Sequence, residues 1–392
     1  MSPSPPSVQS GQEIIDRVRA LAPGFRKRAE AAEEARRIPN ESAQELLAAG
    51  IARILVPPRF GGYGLGLDIW FEVAREISKA DASHGWCASL IIHHPHIIGM
   101  FPEEAQQAVW ADGPDVAIAA SVQPRAKVKR EHGGYRVSGQ DSAFASGVGH
   151  SSWVFIGGFV HDAGVPEWKF FLIPPGGYTV RDTWFTAGMR ATGSNTIVTD
   201  NVFVPDTRVI SLPQLRDGAG PGGALHESPI FRTPFFFYSP LTFAAPMLGA
   251  AQGAYDYFRD WTKTRTAAGG AAVADKTSVQ VRMARAAADL DAAELLLRRA
   301  ALLPHAPQGA PRSLLARSVR DYARAAELAV AAIDTLIALS GTAGFATSNP
   351  IQRAWRDIHF ASMHVGLNTE NNFAHFGRTE LGLPPDPTQP YF

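Results

Sequence analysis

The feature that most constrains the fold is a change in periodicity near Pro114 that reverses near Pro234. Before Pro114, apolar residues recur at helical spacing in segments rich in Ala, Glu and Leu. Between the two changes lie short runs of Val, Ile and Phe, which Gly, Pro and Asn interrupt as they do between strands. This order predicts a mostly α member of the α+β class: helices, then a compact β-domain, then helices.

The segment before Pro114 predicts five helices. Their expected bounds are Gln12–Arg37, Glu41–Ala49, Leu67–Lys79, Ser83–Met100 and Glu103–Ala111. Asn40 is expected to cap the second helix and Gly50 to end it. The stretch Val56–Gly66 (VPPRFGGYGLG) predicts a loop, because its Pro and Gly residues interrupt regular structure.

The middle segment, from residue 116 to about 205, predicts antiparallel strands. Gly133-Gly134, between KVKREH and YRVSG, indicates a tight hairpin. After the strands, the Gly-rich stretch Asp217–Ala224 predicts a linker or surface loop.

Four helices are expected after Pro234, and each is much longer than the usual helix of about 11 residues. Their expected bounds are Ser239–Thr264, Lys276–Leu303, Arg312–Ser340 and Asn349–Gly377. Such lengths favour a four-helix bundle. In the last helix, Phe360, Met363 and Leu367 form an apolar face that includes His364. A lone histidine among apolar neighbours is most simply interpreted as a core residue.

Charge and cysteine content exclude several classes of function. The 392 residues contain 37 basic and 37 acidic side chains, so no basic field exists to bind nucleic acid or an anionic membrane. Cys87 is the only cysteine, which excludes an intramolecular disulfide. The polar, Pro/Ser-rich start lacks an apolar signal core, and no apolar run is long enough to span a bilayer. We therefore expect a soluble, cytoplasmic protein.

A histidine cluster, His93-His94-Pro95-His96, is the one pattern that suggests a metal site. Pro95 disturbs the helical spacing, and no carboxylate lies nearby in sequence to complete a ligand set. Packing or substrate contact is therefore favoured, and no metal site is predicted. Phosphate-loop, dinucleotide-binding, GxSxG and HExxH motifs are also absent from the sequence.

Three segments, RILVPPRFGGYGL, GMRATGSNTIVTDNVFVP and RAWRDIHF, resemble the acyl-CoA dehydrogenase superfamily, and the match covers nearly the whole chain. The resemblance implies an N-terminal helical domain (1–113), a middle antiparallel β-domain (114–220) and a C-terminal four-helix domain (221–392). It also implies a flavin in the cleft between these domains.

The positions that hold the catalytic base of acyl-CoA dehydrogenases contain no carboxylate here. Dehydrogenation requires a base that removes a proton beside the thioester carbonyl. In most of the superfamily it lies in the last long helix, and the matching position here is Val365. A second branch keeps its acid near the start of the first C-terminal helix, where this chain has FFFYSPLTFAAPMLG. The sequence therefore argues against a dehydrogenase.

The chain instead resembles the oxygenase component of two-component flavin-dependent monooxygenases, the group that includes 4-hydroxyphenylacetate hydroxylase. HGWCASLIIHHPH, FASG and the closing ELGLPPDPT add to this likeness. It implies that reduced FMN or FAD arrives from a separate NAD(P)H-dependent flavin reductase. Dioxygen then forms a C4a-hydroperoxyflavin, protected from water, that hydroxylates a small phenol- or indole-like substrate. A homotetramer is also implied.

The same resemblance implies roles for individual residues. A histidine matching His364 lies by the substrate, a serine matching Ser146 lies by the flavin N5, and one matching His94 contacts the substrate hydroxyl; His93 and His96 are alternatives to His94. The implied flavin-binding residues are Trp86, Ala119, Ala120, Ser121, Phe144, Ala145, Ser146, Arg265, Ser348 and Asn349. Two positions depart from the family pattern. Ser142 stands where the family commonly has Trp, and Ala120 stands where it commonly has Ser or Cys.

Simpler interpretations stay open for these residues, and so do other functions. Ser146 fits a strand-end hydroxyl that bonds its own backbone, Arg265 a solvated surface arginine, and Ser348-Asn349 a plain helix cap. The alternative functions are an acyl-CoA dehydrogenase with an unrecognised base, an N- or S-oxygenase, and an inactive flavin-binding scaffold.

Overall fold

The computed structural model describes residues 11–161, 164–302, 312–386 and 388–389. The predicted order of helices, strands and helices is confirmed. The Pro/Ser-rich start, residue 303 at the end of a predicted helix and residue 387 of the closing motif lie outside the described residues. The domain boundaries at 113 and 220 stay predictions.

The N-terminal helices lie within two residues of their predicted bounds. They are α1 (Gly11–Ala35), α2 (Asn40–Ala48), α3 (Leu67–Ser78), α4 (Ala82–Ile98) and α5 (Glu103–Val109). Gly50 follows α2 in a left-handed conformation, as expected at a helix end. The predicted cap at Asn40 is wrong. Pro39 holds the extended cap position, and Asn40 is the first helical residue.

The middle segment forms one seven-stranded sheet in the order β5-β6-β2-β1-β3-β4-β7. The strands are β1 (Ile118–Glu131), β2 (Gly134–Ala145), β3 (Trp153–Val160), β4 (Glu167–Ile173), β5 (Thr179–Arg181), β6 (Asn195–Pro205) and β7 (Val209–Ser211). The predicted hairpin joins β1 to β2, with Gly133 at φ 77°.

The prediction that all strands are antiparallel is wrong, because β1 and β3 run parallel. β1 is long enough to pair with two strands. Its first residues pair with β3, its register shifts between Ser121 and Ala126, and its last residues pair with β2. Residue composition predicts strands but not which strand edge a later strand joins.

The two faces of the sheet belong to two different cores. Along β3, Trp153 and Phe155 join the large core that the helices share, whereas Val154 and Ile156 join a smaller core on the other face. This alternation follows from the two-residue period of a strand. One face of the sheet is thereby fixed against the helices.

The remaining helices are α6 (Leu212–Arg216), α7 (Leu241–Thr262), α8 (Thr277–Leu302), α9 (Arg312–Ser340), α10 (Pro350–Ser362) and α11 (Thr369–Glu380). In α9, which packs against α7, α8, α10 and α11, the predicted bounds are confirmed. None of the described helices is both long and apolar enough to span a bilayer. The Gly-rich stretch after α6 is no free linker, since Gly220 and Gly222 pack against the carbonyls of Met100 and Phe101.

The prediction of one final helix from Asn349 to Gly377 is wrong. The chain leaves the helix after Ser362, makes a short 3-10 turn and begins α11 at Thr369. Asn368 caps α11 by accepting a hydrogen bond from the Asn371 amide, and the His364 ring accepts one from the Gly366 amide. These local bonds compete with the helix. His364 therefore lies in a break, and Met363, expected on an apolar face, is 79% exposed.

Helix α7 approaches the end of α3 closely through two glycines one turn apart. A Cβ at Gly249 would lie 2.3 Å from the Arg75 carbonyl oxygen, and one at Gly253 would lie 2.1 Å from that of Lys79. The backbones can touch because neither residue has a side chain.

We expect Gly249→Ala to destabilise the protein by up to about 2 kcal/mol. The alanine gains about 1 kcal/mol of helix propensity, but overpacking costs about 1–3 kcal/mol. Gly377→Ala in α11 is the control, because a Cβ there meets nothing within 4 Å; it should be neutral or stabilising. Urea unfolding measures both free energies, and a stabilising Gly249→Ala would contradict the packing argument.

Candidate active site

Three of the predicted site residues meet where α4, the end of β2 and the α10–α11 break converge. The Trp86 indole Nε1 donates a hydrogen bond to the Ser146 Oγ at 3.1 Å. The same indole meets the His364 ring edge-on, with 6.0 Å between ring centroids. Phe243 of α7 stacks on His364 at 3.5 Å and lies 4.9 Å from Trp86.

The Ser146 hydroxyl belongs to a chain of hydroxyl groups. Its Oγ lies 2.6 Å from the Oγ of Ser194, which lies 2.6 Å from the Oγ1 of Thr192. The Thr192 hydroxyl in turn donates to the Met189 carbonyl at 2.8 Å. The side chain of Ser146 therefore bonds other side chains, and the simpler interpretation, a bond to its own backbone, does not describe it.

The turn that carries Thr192 and Ser194 is docked on α10. The Met189 amide donates to the buried Asp357 carboxyl at 2.6 Å, and a Cβ on Gly188 would lie 2.3 Å from the Arg356 carbonyl oxygen. Burial, together with the nearby Asp81 charge, raises the pKa of Asp357 to about 7. Asp357 therefore accepts a hydrogen bond from the Met189 amide. Among the described hydrogen bonds it forms none with Trp86, Ser146 or His364.

Phe144 adopts an unusual backbone conformation at the end of β2. Its φ is 65°, and its side chain is 55% exposed and meets Trp184 edge-on at 6.1 Å. A left-handed conformation is rare for a bulky residue, and residues held in such conformations cluster at active sites and ligand clamps. Ala145, the next residue, is buried and pairs with Asn195 of β6.

His364 is a neutral donor. Its Nδ1 accepts a hydrogen bond from the Gly366 amide at 3.1 Å, so the hydrogen of the neutral ring is on Nε2. Burial against aromatic neighbours lowers the pKa of His364 to about 4. At neutral pH the ring can therefore donate through Nε2 but carries no charge.

His94 has the opposite tautomer. Its Nδ1 lies 2.7 Å from the Ile118 carbonyl oxygen, which can only accept, so the neutral ring has its lone pair on Nε2. Burial lowers the pKa of His94 to about 4. Trp86 lies eight residues away on α4, which separates the two residues by about 12 Å along the helix axis.

The other histidines of the cluster have different neighbours. His93 stacks between Trp70 and Phe235 and its Nδ1 bonds the Thr242 hydroxyl at 2.9 Å, whereas His96 packs against Phe231. Among the described residues no group of three or more His, Cys, Asp or Glu side chains could hold a metal ion. His94 contacts Ile118 at the start of β1, which carries other predicted residues.

The remaining predicted residues lie in two places. Ala119, Ala120 and Ser121 are buried on β1, and the Ser121 hydroxyl donates to the Ala143 carbonyl at 2.7 Å. Arg265 is no solvated arginine. It donates to the Leu339 and Ser340 carbonyls at the end of α9.

Asn349 caps α10 by accepting from the Ile351 amide at 3.0 Å, while Ser348 is exposed. Through Leu339 and Ser340, Arg265 contacts the residues that begin the loop carrying this pair. Arg265, Ser348 and Asn349 therefore form a separate cluster among the C-terminal helices. None of the described hydrogen bonds joins this cluster to Trp86, Ser146 or His364.

Val365, at the position of the dehydrogenase base, is 53% exposed beside His364. Within the described part of the chain, no Asp or Glu side chain forms a hydrogen bond with Trp86, Ser146 or His364. The polar groups here are a hydroxyl and an uncharged imidazole.

Cys87, beside Trp86 on α4, is buried with its thiol 3.8 Å from the Thr192 carbonyl oxygen. Burial raises the pKa of Cys87 to about 12.

Sequence reasoning missed Phe243, Thr192 and Ser194. Phe243 lies in the stretch FFFYSPLTFAAPMLG, which was analysed only for carboxylates. Thr192 and Ser194 lie in GMRATGSN, where two hydroxyl residues flank Gly193. That spacing was the available signal, because the left-handed Gly193 between them lets the two hydroxyls bond each other.

Comparison with known proteins gives matches along nearly the whole chain. The family descriptions that match are "Acyl-CoA dehydrogenase, N-terminal domain" at residues 9–113 and "Acyl-CoA dehydrogenase, C-terminal domain" at residues 241–369. The chain is 36% identical to "Flavin-dependent monooxygenase, oxygenase subunit HsaA" of Rhodococcus jostii (strain RHA1), with 94% of this chain and 98% of that protein covered.

Two further proteins are similar. The "FADH(2)-dependent resorcinol hydroxylase, oxygenase component" of Rhizobium sp. (strain MTP-10005) is 34% identical over 98% of both chains. The solved structure of XiaF from Streptomyces sp., in complex with FADH2 and glycerol, superposes with a TM-score of 0.89 at 31% identity, covering 96% of each chain.

We expect His94 and His364 to stay neutral between pH 5.5 and pH 8. Burial disfavours the imidazolium, so both rings gain a proton only as the pH falls toward 4. The stability that they contribute as neutral groups is present above their unfolded pKa of about 6.5 and is lost on acidification. Titrating the ring Cε1–H signals by NMR measures this, and a midpoint near 6.5 for either ring would contradict it.

Proposed function

This chain belongs to the family of oxygenase subunits of flavin-dependent monooxygenases on the acyl-CoA dehydrogenase fold, and from that premise we propose that it hydroxylates a small phenol- or indole-like substrate. The observation that carries the proposal is the site's set of polar groups. Ser146 and two neutral histidines of opposite tautomer supply the polar groups, while Val365 occupies the position of the dehydrogenase base.

The residues around Ser146 fit a flavin ring. The exposed, left-handed Phe144 offers aromatic surface, and the Ser146 Oγ, which accepts a hydrogen bond from the Trp86 indole, offers a polar atom two residues further along the chain. When bound, reduced flavin supplies the electrons that activate dioxygen, so that one oxygen atom enters the substrate and the other leaves as water. Trp86, Phe144 and Ser146 would hold the ring, with Ala119, Ala120, Ser121 and Ala145 as the neighbouring strand ends.

His94 is proposed to accept the hydrogen of the substrate hydroxyl. Its Nε2 lone pair is fixed by the bond from Nδ1 to the Ile118 carbonyl, and its low pKa keeps that lone pair free at neutral pH. Drawing the proton from a phenol makes the ring more nucleophilic toward an electrophilic oxygen. His364 carries its hydrogen on Nε2. It is proposed to donate a hydrogen bond to an oxygen atom on the side of the substrate opposite His94.

The finer parts of the proposal concern cofactor and assembly. We favour reduced FAD over FMN, because two relatives above 30% identity have names that specify FADH2. A separate NAD(P)H-dependent reductase would deliver it, which suits a cytoplasmic location where the nicotinamide pool is available. Arg265, Ser348 and Asn349 are proposed to meet the flavin phosphates. A homotetramer would cover exposed apolar residues such as Met363 and Leu381.

The test supplies chemically reduced FAD and dioxygen with a panel of phenols and indoles. We expect hydroxylated product with at least one panel member and less hydrogen peroxide in its presence. Peroxide release unaffected by every panel member would count against an aromatic hydroxylase, and dye reduction with acyl-CoA thioesters would point to a dehydrogenase. Faster turnover of a thioether or amine than of a phenol would favour an N- or S-oxygenase.

Replacing His94 or His364 by Ala should lower hydroxylation by about 10²–10⁴-fold, the usual contribution of a positioned acid–base group. Reduced flavin should still bind, and the oxygen consumed should appear as hydrogen peroxide. His132→Ala, at an exposed hairpin position, is the control. Unchanged coupling of oxygen to product in either variant would remove that histidine from the mechanism.

A further inference from the structure

The hydroxyl chain that begins at Trp86 has two ends of fixed polarity. Trp86 Nε1–H can only donate, and the Met189 carbonyl can only accept. Between them lie the hydroxyls of Ser146, Ser194 and Thr192, and each has a single hydrogen. The two hydroxyl–hydroxyl distances are both 2.6 Å, too short for either pair to lack a shared hydrogen.

The fixed ends determine the direction of every bond in the chain. Thr192 gives its hydrogen to the Met189 carbonyl, so its bond with Ser194 requires Ser194 to donate. Ser194 then has no hydrogen left, so Ser146 must donate to Ser194. Ser146 accepts from Trp86 on its other side. Its only unused capacity is one lone pair.

We propose that Thr192 and Ser194 are positioning residues that make Ser146 a hydrogen-bond acceptor toward the flavin and so make the site select reduced over oxidised flavin. This inference rests on the proposed function and on the flavin N5 lying beside Ser146, as the family resemblance implies. Reduced flavin carries hydrogen on N5 and can donate to the Ser146 lone pair. Oxidised flavin has a lone pair on N5, and two lone pairs repel.

Neighbouring residues keep the donor-to-acceptor direction of these hydrogen bonds fixed. Thr192 and Ser194 are only 2% and 3% exposed, so water cannot easily replace either partner. The Thr192 carbonyl accepts from the Gly147 amide at 2.8 Å, which fixes the backbone beside Ser146. Met189, at the accepting end, is held through its amide by Asp357. A rigid chain keeps its direction when the ligand arrives.

Such a preference suits a protein that receives its flavin already reduced. A site that favours the N5–H forms keeps the flavin until oxidation is complete and then releases it. The preference would come from residues that do not touch the flavin. It should therefore change when they are altered while Ser146 and Trp86 stay in place.

The binding experiment measures dissociation constants for reduced FAD, without oxygen, and for oxidised FAD. Ser194→Ala frees the Ser146 hydrogen to turn toward N5, so oxidised FAD should bind more tightly and reduced FAD more weakly. One hydrogen bond gained and one lost correspond to a change in the ratio of about tenfold or more. Thr192→Val, which removes the link to Met189, should change the ratio in the same direction.

Two variants serve as controls. Thr192→Ser keeps the hydroxyl and should keep the wild-type ratio. Ser142→Ala makes the same chemical change as Ser194→Ala at a buried serine of β2 whose hydroxyl has no hydrogen-bond partner in the described part of the chain. It too should keep the ratio. An unchanged ratio in both Ser194→Ala and Thr192→Val, with the folded state verified by thermal unfolding, would overturn the inference.

A second readout needs no flavin. The ¹H–¹⁵N signal of the Trp86 indole, assigned by its loss in Trp86→Phe, reports the strength of the bond to Ser146. We expect it to shift upfield in Ser194→Ala, because each bond in a chain polarises the next, and to stay in place in Ser142→Ala. A signal that does not move in Ser194→Ala would contradict the hydroxyl chain.

Flavin binding and the Trp86 indole signal together distinguish a failure of the proposed function from a failure of this inference. If the wild type binds neither flavin form, the proposed function fails. In that case the flavin preference fails with it, whatever the indole signal shows. If the wild type prefers reduced FAD and both Ser194→Ala and Thr192→Val keep the wild-type ratio of dissociation constants, the proposed function stands and the inference about Thr192 and Ser194 is wrong.

Discussion

The hydrogen bond from the Met189 amide to the buried Asp357 carboxyl is the interaction on which the site depends. It joins the turn before β6 to α10, two elements that are 168 residues apart in the chain. Through that turn, the C-terminal helices determine where the Thr192 and Ser194 hydroxyls lie, and hence how Ser146 at the end of β2 is oriented. The break after α10 brings His364 to the same place. This contact and the break after α10 together bring groups from three parts of the chain to one place.

The sequence predicts the fold well where periodicity is strong and local. The bounds of α9 follow directly from its helical pattern, and the β1–β2 hairpin follows from Gly133. The parallel pairing of β1 with β3 does not follow, because composition identifies strands and says nothing about their neighbours. The break at His364 was missed because the apolar spacing of the sequence continues across it. The bond from the Gly366 amide to His364 and the Asn368 cap that begins α11 are local signals that periodicity does not contain.

The candidate site also combines features that the sequence predicts with features that only the structure shows. Trp86, Ser146 and His364 were predicted from resemblance alone, and their convergence is visible only in three dimensions. The tautomers of His94 and His364 depend on a carbonyl and an amide contributed by the backbone, which no side-chain pattern encodes. Thr192 and Ser194 have their effect through Ser146, so a search for residues that touch a ligand does not find them. Motifs find reacting groups better than they find the residues that orient them.

The burial of Cys87 has a consequence for durability. Proteins that bring reduced flavin and oxygen together release some hydrogen peroxide, and peroxide attacks thiolates first. The single sulfhydryl of this chain lies beside Trp86, yet its pKa of about 12 leaves almost none of it ionised at neutral pH. With flavin bound at the proposed site beside Trp86, burial would keep this cysteine out of sulfenic acid chemistry and spare the surrounding region inactivation by its own by-product.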